Sequence, residues 1–328
     1  MSEVRAKKAL GQHFLVDLNI ARKICDALSG GERPGAGAET RANAAGYAGA
    51  GAEARTKATG TADADAETRR GVAASADARI AADTTAAGAP AAAEEERGGA
   101  VPCDVLEVGC GMGVLTQYLL RRGDITTYGA EIDPESVGYL HAHFPEFAPR
   151  LIEGDFLKMD LRERFPRGLK IIGNFPYNIS SQIFFKVLEH RDLVPECVGM
   201  IQKEVAVRIA EPPGSKEYGI LSVLLQAWYD IEYLFTVNET VFNPPPKVKS
   251  AVIRLHRNGV GRLGCDEALF VKVVKASFGQ RRKMIRNSLR AVFGDFGGAE
   301  HPFFTQRAEQ LSVADFVQLT DWVAANRK

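Results

Sequence analysis

Between Val105 and Gly113 a short apolar stretch, Val-Leu-Glu-Val, runs into glycines at 109, 111 and 113 and then into the helix-compatible segment Leu115–Arg122. A strand, a tight glycine turn and a helix in that order open a βαβ unit, because glycine reaches the left-handed backbone conformations that such a turn requires. The text downstream keeps the rhythm. Strands are predicted at Val105–Val108, Thr126–Ile132, Leu151–Glu153 and Leu169–Gly173, alternating with helices at Leu115–Arg122, Pro134–His143 and Ser181–His190. This order predicts an α/β fold, a Rossmann-like parallel sheet with helices on both faces and a ligand site at the carboxyl ends of its strands. Two further strand candidates, Cys197–Gln202 and Val252–His256, flank a helix around Lys203–Ile209 and the apolar run Ile220–Tyr229.

Composition matters because it is uneven. Residues 31–100 hold 26 Ala and 11 Gly, with Tyr47, Val72 and Ile80 but no Leu, Phe, Trp or Met. Such a stretch cannot bury enough apolar surface to order itself and reads as a disordered Ala/Gly-rich insertion. It carries 8 basic and 11 acidic residues, so the neutral balance of 41 against 41 conceals a remainder with 33 basic and 30 acidic residues. Before it, Asp17 caps a short amphipathic helix with Ile20, Ile24, Ala27 and Leu28 on one face. After Arg257 helical periodicity runs through 266–278, 284–293 and 311–325, predicting a small all-helical C-terminal domain. The expected organisation is 1–29 as an arm and helix of the catalytic domain, 30–100 as the insertion, 101–257 as the catalytic domain and 258–328 as the helical one.

Between Arg257 and Phe293 nine basic residues face two acidic ones. The one-sided run Arg281, Arg282, Lys283 and Arg286 suggests a phosphate-binding helix surface, with a solvated helix face as the plainer reading. The five scattered cysteines, without a C-x-x-C pair, disfavour a disulfide framework or a zinc site. Neither an apolar leader nor a span of about 20 apolar residues is present, so a soluble cytoplasmic protein without membrane or metal partners is expected, by default a monomer.

The glycine loop narrows the cofactor. A dinucleotide fingerprint wants its third glycine where this chain has Val114, and no Gly-Lys-Ser/Thr follows, which disfavours NAD and a P-loop. Glu107 before the tighter G-x-G-x-G spacing suits S-adenosylmethionine (SAM), which has no phosphates to cradle. At the end of the next strand Glu131, 18 residues beyond Gly113, can accept ribose hydroxyl hydrogens, while Asp133 caps the helix that starts at Pro134. Asp155 and Phe156, after the third strand, suit the amino group and the ring of an adenine.

Gly173-Asn-Phe-Pro-Tyr-Asn178 follows the fourth strand. An aromatic amine is a poor nucleophile because its lone pair is conjugated with the ring. The side-chain carbonyl of Asn174 and a neighbouring backbone carbonyl can accept both N–H groups, favouring a pyramidal nitrogen. Pro176 stiffens the turn, and Tyr177 offers a ring on which an extruded base can stack. Two other constellations carry nothing. Pro102-Cys103 precedes the glycine loop, where a nucleophile would be misplaced, and His141 and His143 point apart on one helix.

These residues resemble a known family. Lys8-Ala-Leu-Gly-Gln-His-Phe-Leu15, Glu107-Val-Gly-Cys-Gly111, Gly173-Asn-Phe-Pro-Tyr-Asn-Ile-Ser180, Gln202-Lys-Glu204, Phe242-Asn-Pro-Pro-Pro-Lys-Val-Lys-Ser-Ala-Val252 and Gln280-Arg-Arg-Lys-Met-Ile-Arg-Asn-Ser-Leu289 are similar to the ribosomal RNA adenine N(6)-dimethyltransferases, nearest to their small-subunit branch. The likeness covers nearly everything outside 30–100. It implies SAM-dependent dimethylation of two adjacent adenines in the 3′-terminal hairpin of small-subunit rRNA, on an immature small ribosomal subunit. It also implies that His13, Leu15, Gly109, Glu131, Asp155 and Asn174 surround SAM. Asn174 and Tyr177 then serve catalysis, with Phe242 as the second aromatic face for the base. The family often has Asn at the position of His13 and Leu at that of Phe175, and the insertion lies outside its pattern. Competing readings are a large-subunit rRNA adenine dimethyltransferase of the macrolide-resistance type and a non-catalytic RNA-binding relative. A surface excursion ahead of the first strand should be dispensable, so deleting residues 32–98 is expected to leave methyl transfer unchanged. Loss of soluble, active protein on that deletion would overturn this reading.

Overall fold

The computed structural model of the chain describes residues 4–7, 10–30 and 102–327. From residue 31 the expected insertion lies outside the described residues. The predicted strands form because each is short and draws on β-branched, aromatic and other apolar residues that suit a pleated, buried surface. They are β2 (Cys103–Val108), β3 (Ile125–Glu131), β4 (Leu151–Glu153), β5 (Lys170–Asn174) and β6 (Glu196–Gln202), preceded by a short β1 (Phe14–Leu15). In the seven-stranded sheet the order is β4-β3-β2-β5-β6-β9-β7, where β7 is Tyr229–Val237 and β9 is Ser250–Arg257. The first five of these strands run parallel, whereas β9 pairs antiparallel with β6 and β7 antiparallel with β9. The expectation of a parallel sheet is therefore corrected at one edge. The apolar run Ile220–Tyr229 divides into a helix and the first residue of β7, a junction hidden in sequence because no Gly or Pro marks it.

The helices are α1 (Leu18–Asp26), α2 (Thr116–Leu119), α3 (Pro134–His143), α4 (Leu161–Arg164), α5 (Ser180–Glu189), α6 (Lys203–Ala210) and α7 (Ile220–Gln226), followed by α8 (Glu267–Gly279), α9 (Ile285–Phe293) and α10 (Val313–Asn326). Asp17 and Asp133 cap α1 and α3 as read from sequence, each accepting from backbone amides of the first turn. One continuous apolar cluster joins the sheet residues Leu106, Ile171 and Ile253 to Phe270, Val273 and Leu289 of the C-terminal helices. The change in sequence texture at Arg257 is thus not a break in packing.

Because β2 lies between β3 and β5, the loops leaving β2 and β5 diverge from neighbouring strand ends and open a crevice there. The opposite end of the sheet is fastened by charge. Lys170 of β5 and Glu196 of β6, 4% and 1% exposed, form an ion pair at 3.1 Å. Lys170 also donates to the carbonyls of Ser29 and Gly30 at 3.2 and 2.8 Å, while Glu196 accepts from the Ser29 amide at 3.0 Å and from its hydroxyl. Arg122 donates to the carbonyls of Cys25 and Leu28 at 3.2 and 3.0 Å. The chain is thus pinned where it leaves α1. Burial alone would raise the Glu196 carboxyl, but the Ser29 and Lys170 hydrogen bonds outweigh it and hold its pKa below the usual value.

Removing one partner strands the other charge in a dry environment. Lys170→Met is expected to lower unfolding free energy by about 3–5 kcal/mol in urea titrations. The double change Lys170→Met/Glu196→Leu is expected to recover most of it, and no difference between single and double variants would contradict the pairing.

Candidate active site

The loops after β2, β3 and β5 and the N-terminal arm enclose a cavity of about 340 Å³. Its floor is the glycine loop. Gly111 has a φ of +54°, and a Cβ there would lie 3.2 Å from the ring of Phe14, so the missing side chain lets the arm close onto the loop. Its amide donates to Glu131 Oε2 at 2.8 Å. The amides of Ile132 and Asp133 both donate to Oε1 at 2.9 Å. The open acceptor position on Glu131 is therefore on Oε2. Burial raises the pKa of Glu131 and these three amides oppose the shift.

Glu107 lies beneath the loop, 2% exposed, accepting from the Thr116 hydroxyl at 2.6 Å. Desolvation pushes its pKa up to about 8, with the Thr116 bond acting against the shift and the charge of Glu131 adding to it. Asp155 receives the Leu157 amide at 2.9 Å on Oδ1, and its Oδ2 has no hydrogen-bond partner among the described residues. Phe156 beside it is buried.

The arm shapes the catalytic loop. Asn174 donates its Nδ2 to the backbone carbonyl of His13 at 2.9 Å, which fixes the amide and leaves Oδ1 without a partner among the described residues. His13 Nδ1 donates to the carbonyl of Pro244 at 2.9 Å, and its ring lies 5.3 Å from that of Tyr177 at an interplanar angle of 32°. The Tyr177 hydroxyl is 2.5 Å from Ser250 Oγ. The arm itself is held by pairing of Leu15 with Phe242 in β8 (Phe242–Asn243) and by Lys7, which forms ion pairs with Asp133 and with Glu135, the latter at 3.1 Å. Burial would raise Asp133, yet the hydrogen bonds from Lys7 and Gln12 dominate and hold its pKa below the usual carboxylate value.

The structure thus brings His13, Leu15, Gly109, Glu131, Asp155, Asn174 and Tyr177 to one cavity. Phe242 is not among the residues lining it. Only 4% exposed, it packs with Leu15 and Val252 in a separate apolar cluster and anchors the arm there. His13 meets the site through its carbonyl and ring, its Nδ1 being committed to Pro244.

The basic run is corrected as well, because Arg281, Arg282 and Lys283 lie in the turn between α8 and α9 and not on a helix. Arg281 donates to the carbonyls of Lys216 and Tyr218. Arg286 pairs with Glu300 and lies over the Phe304 ring, and Arg290 pairs with Asp295 at 3.2 Å. Sequence reading missed Ile132, half exposed at the cavity directly after Glu131, although an apolar residue behind a strand-end acid was a usable signal. It also missed Ser250, which carries no local signal.

Among the described residues the lining holds three carboxyl groups, Glu107, Glu131 and Asp155, of which Glu107 keeps its proton near neutral pH, and no Lys or Arg. A pyrophosphate would be repelled there, whereas a ligand with a sulfonium and an ammonium group is accommodated. Fold, glycine loop and acidic lining define a SAM-dependent methyltransferase. Residues 102–325 match the family described as ribosomal RNA adenine dimethylase. Ribosomal RNA small subunit methyltransferase A of Parabacteroides distasonis is 47% identical over 322 residues, 98% of this chain and 94% of that protein. The protein of that name from Bacteroides thetaiotaomicron is 58% identical over 221 residues, 67% of this chain and 82% of that one. The crystal structure of a dimethyladenosine transferase from Plasmodium falciparum matches with a TM-score of 0.57 at 25% identity, over 68% of this chain and 90% of that chain. The chain belongs to the ribosomal RNA adenine dimethylase family.

Glu107 gives a test in the free protein. The carboxyl titrates near 4.5 when unfolded and near 8 when folded, so the native state retains the proton through that window and stability falls as pH rises across it. Glu107→Gln, which mimics the neutral acid, is expected to raise the melting temperature more at pH 8.5 than at pH 5. A pH-independent difference would contradict the assignment.

Proposed function

We propose that this protein dimethylates the exocyclic amines of two adjacent adenosines in the 3′-terminal hairpin of small-subunit rRNA, acting on an immature small subunit in the cytoplasm as a monomer. The observation that carries the chemistry is the Asn174 amide, whose Nδ2 is occupied by the arm and whose Oδ1 remains available at the cavity. SAM supplies an electrophilic methyl group on a sulfonium sulfur. Glu131 and Asp155 are suited to its ribose and adenine, and the acidic lining to its positive charge.

Asn174 Oδ1 accepts one N–H of the adenine amine and a backbone carbonyl of the same loop the other, which turns the nitrogen lone pair out of conjugation. The methylated amine is cationic and sheds a proton to solvent, so no strong base is needed. Tyr177, its hydroxyl tethered to Ser250, presents a ring to the extruded base. Residues 1–29 and 101–257 form the catalytic part in this reading. Residues 258–328 contribute to RNA binding through Arg282 and Lys283, which enter no ion pair among the described residues, while Arg281 and Arg286 brace the surface.

Labelled methyl transfer to ribosomal subunits that lack adenine dimethylation tests the proposal. Label in adjacent adenosines near the small-subunit 3′ end is expected, and label confined to the large subunit would overturn the choice of substrate. Asn174→Ala is expected to lower the transfer rate by about 10²–10³ while the protein keeps its melting temperature. Retained turnover would remove the amine-orienting role.

A further inference from the structure

Residues 244–249 are strung between two contacts with the candidate site. At one end the Pro244 carbonyl accepts from His13 Nδ1 at 2.9 Å, and at the other Ser250 Oγ lies 2.5 Å from the Tyr177 hydroxyl. Since the His13 and Tyr177 rings are themselves neighbours at 5.3 Å, the segment arches beside the place where a base would stack. Its sequence is Pro-Pro-Pro-Lys-Val-Lys, stiffened by three prolines and ending in two exposed lysines around Val248, which is 47% exposed. A third exposed lysine joins them. Lys203, the first residue of α6, donates its backbone amide to the Lys249 carbonyl at 2.9 Å, and Gln202 is the register partner of Ser250.

None of Lys203, Lys247 and Lys249 forms an ion pair with another described residue, and the neighbouring carboxylate Glu204 is paired with Arg208 at 3.0 Å. Arg281, Arg286 and Arg290 of the C-terminal cluster, in contrast, already serve protein acceptors. Among the described residues, exposed lysines without an ion-pair partner thus lie on the arch and at the start of α6, in the segment joined to Tyr177 through Ser250. Lys247 and Lys249, both exposed and separated by a bend at 247–248, can engage separate phosphates.

We propose that Lys203, Lys247 and Lys249 form a ledge that grips the RNA backbone beside the nucleotide entering the site, with the proline arch holding two of them in place. This rests on the reading of the protein as an RNA methyltransferase with Tyr177 beside the target base. It adds a binding surface on the catalytic part of the chain, apart from the C-terminal turn. Such a ledge feeds phosphate contacts into the salt dependence of binding and leaves the cofactor cavity untouched, since none of the three lysines lines it.

The test is fluorescence anisotropy of the full-length protein with a fluorescein-labelled RNA hairpin of the small-subunit 3′ end, titrated at several KCl concentrations. Lys247→Gln/Lys249→Gln is expected to reduce the slope of log K against log salt by about 1.4–1.8, and adding Lys203→Gln by up to about 0.9 more. SAM binding by calorimetry and the melting temperature are expected to stay at wild-type values, and Arg22→Gln/Lys23→Gln on α1 to change the slope much less. An unchanged slope, an equal effect of the α1 control, or parallel loss of SAM binding would each overturn the ledge. If the lysines set the slope while the wild-type protein transfers no methyl to small subunits lacking adenine dimethylation, the ledge stands and the proposed activity fails. If methyl transfer proceeds and the slope does not move, the activity stands and the ledge fails.

Discussion

The hydrogen bond from Asn174 Nδ2 to the His13 carbonyl joins residues 161 positions apart and fixes which way the Asn174 amide faces at the cavity. An asparagine amide can turn over, and only one orientation presents Oδ1 to an amine. The arm settles that choice, and its other fastenings serve the same end: Phe14 on the glycine loop, Leu15 paired with Phe242, and Lys7 on Asp133. Asp133 is at once the cap of α3 and the anchor of the arm, and the neighbouring Glu131 ties the glycine loop to β3. Cofactor loop, arm and catalytic loop are therefore one connected network.

Charge is divided along the same lines. Among the described residues the cavity is lined by carboxyl groups and by no Lys or Arg, so it favours a cationic methyl donor and disfavours phosphates. The exposed lysines with no carboxylate partner near Tyr177 lie on the arch outside it. An RNA substrate bearing a phosphate on every residue is thereby drawn to the rim, and only a base, which carries none, fits the interior. A chain neutral in total can separate these tasks because the two kinds of charge occupy different loops.

The parallel strands, the caps at Asp17 and Asp133 and the glycine loop were legible because each depends on local conformational preference or short-range periodicity. So was the gathering of Glu131, Asp155 and Asn174, which follows from the rule that strand ends at a switch point converge. β7 was not legible, since its first residue continues the apolar run of the preceding helix. The packing of Phe242 against Leu15 was not legible either, because an aromatic residue looks alike in sequence whether it faces a ligand or a core. Counting charges likewise could not show that Arg281 and Arg286 meet acceptors on Lys216, Tyr218 and Glu300, which come only from the tertiary fold. The contribution of His13 to Asn174 is a backbone carbonyl, which has no sequence signature at all.

Hydrogen exchange of the arm in Asn174→Asp protein tests the central claim most directly. A carboxylate cannot donate to the His13 carbonyl and places two acceptors face to face, so amides such as Val16, bonded to the Val241 carbonyl at 2.9 Å in the native chain, should exchange markedly faster. Exchange in the sheet strands should remain as in wild type. Arm amides as protected in Asn174→Asp as in the native protein would show that the arm is held independently of Asn174, and would contradict the account.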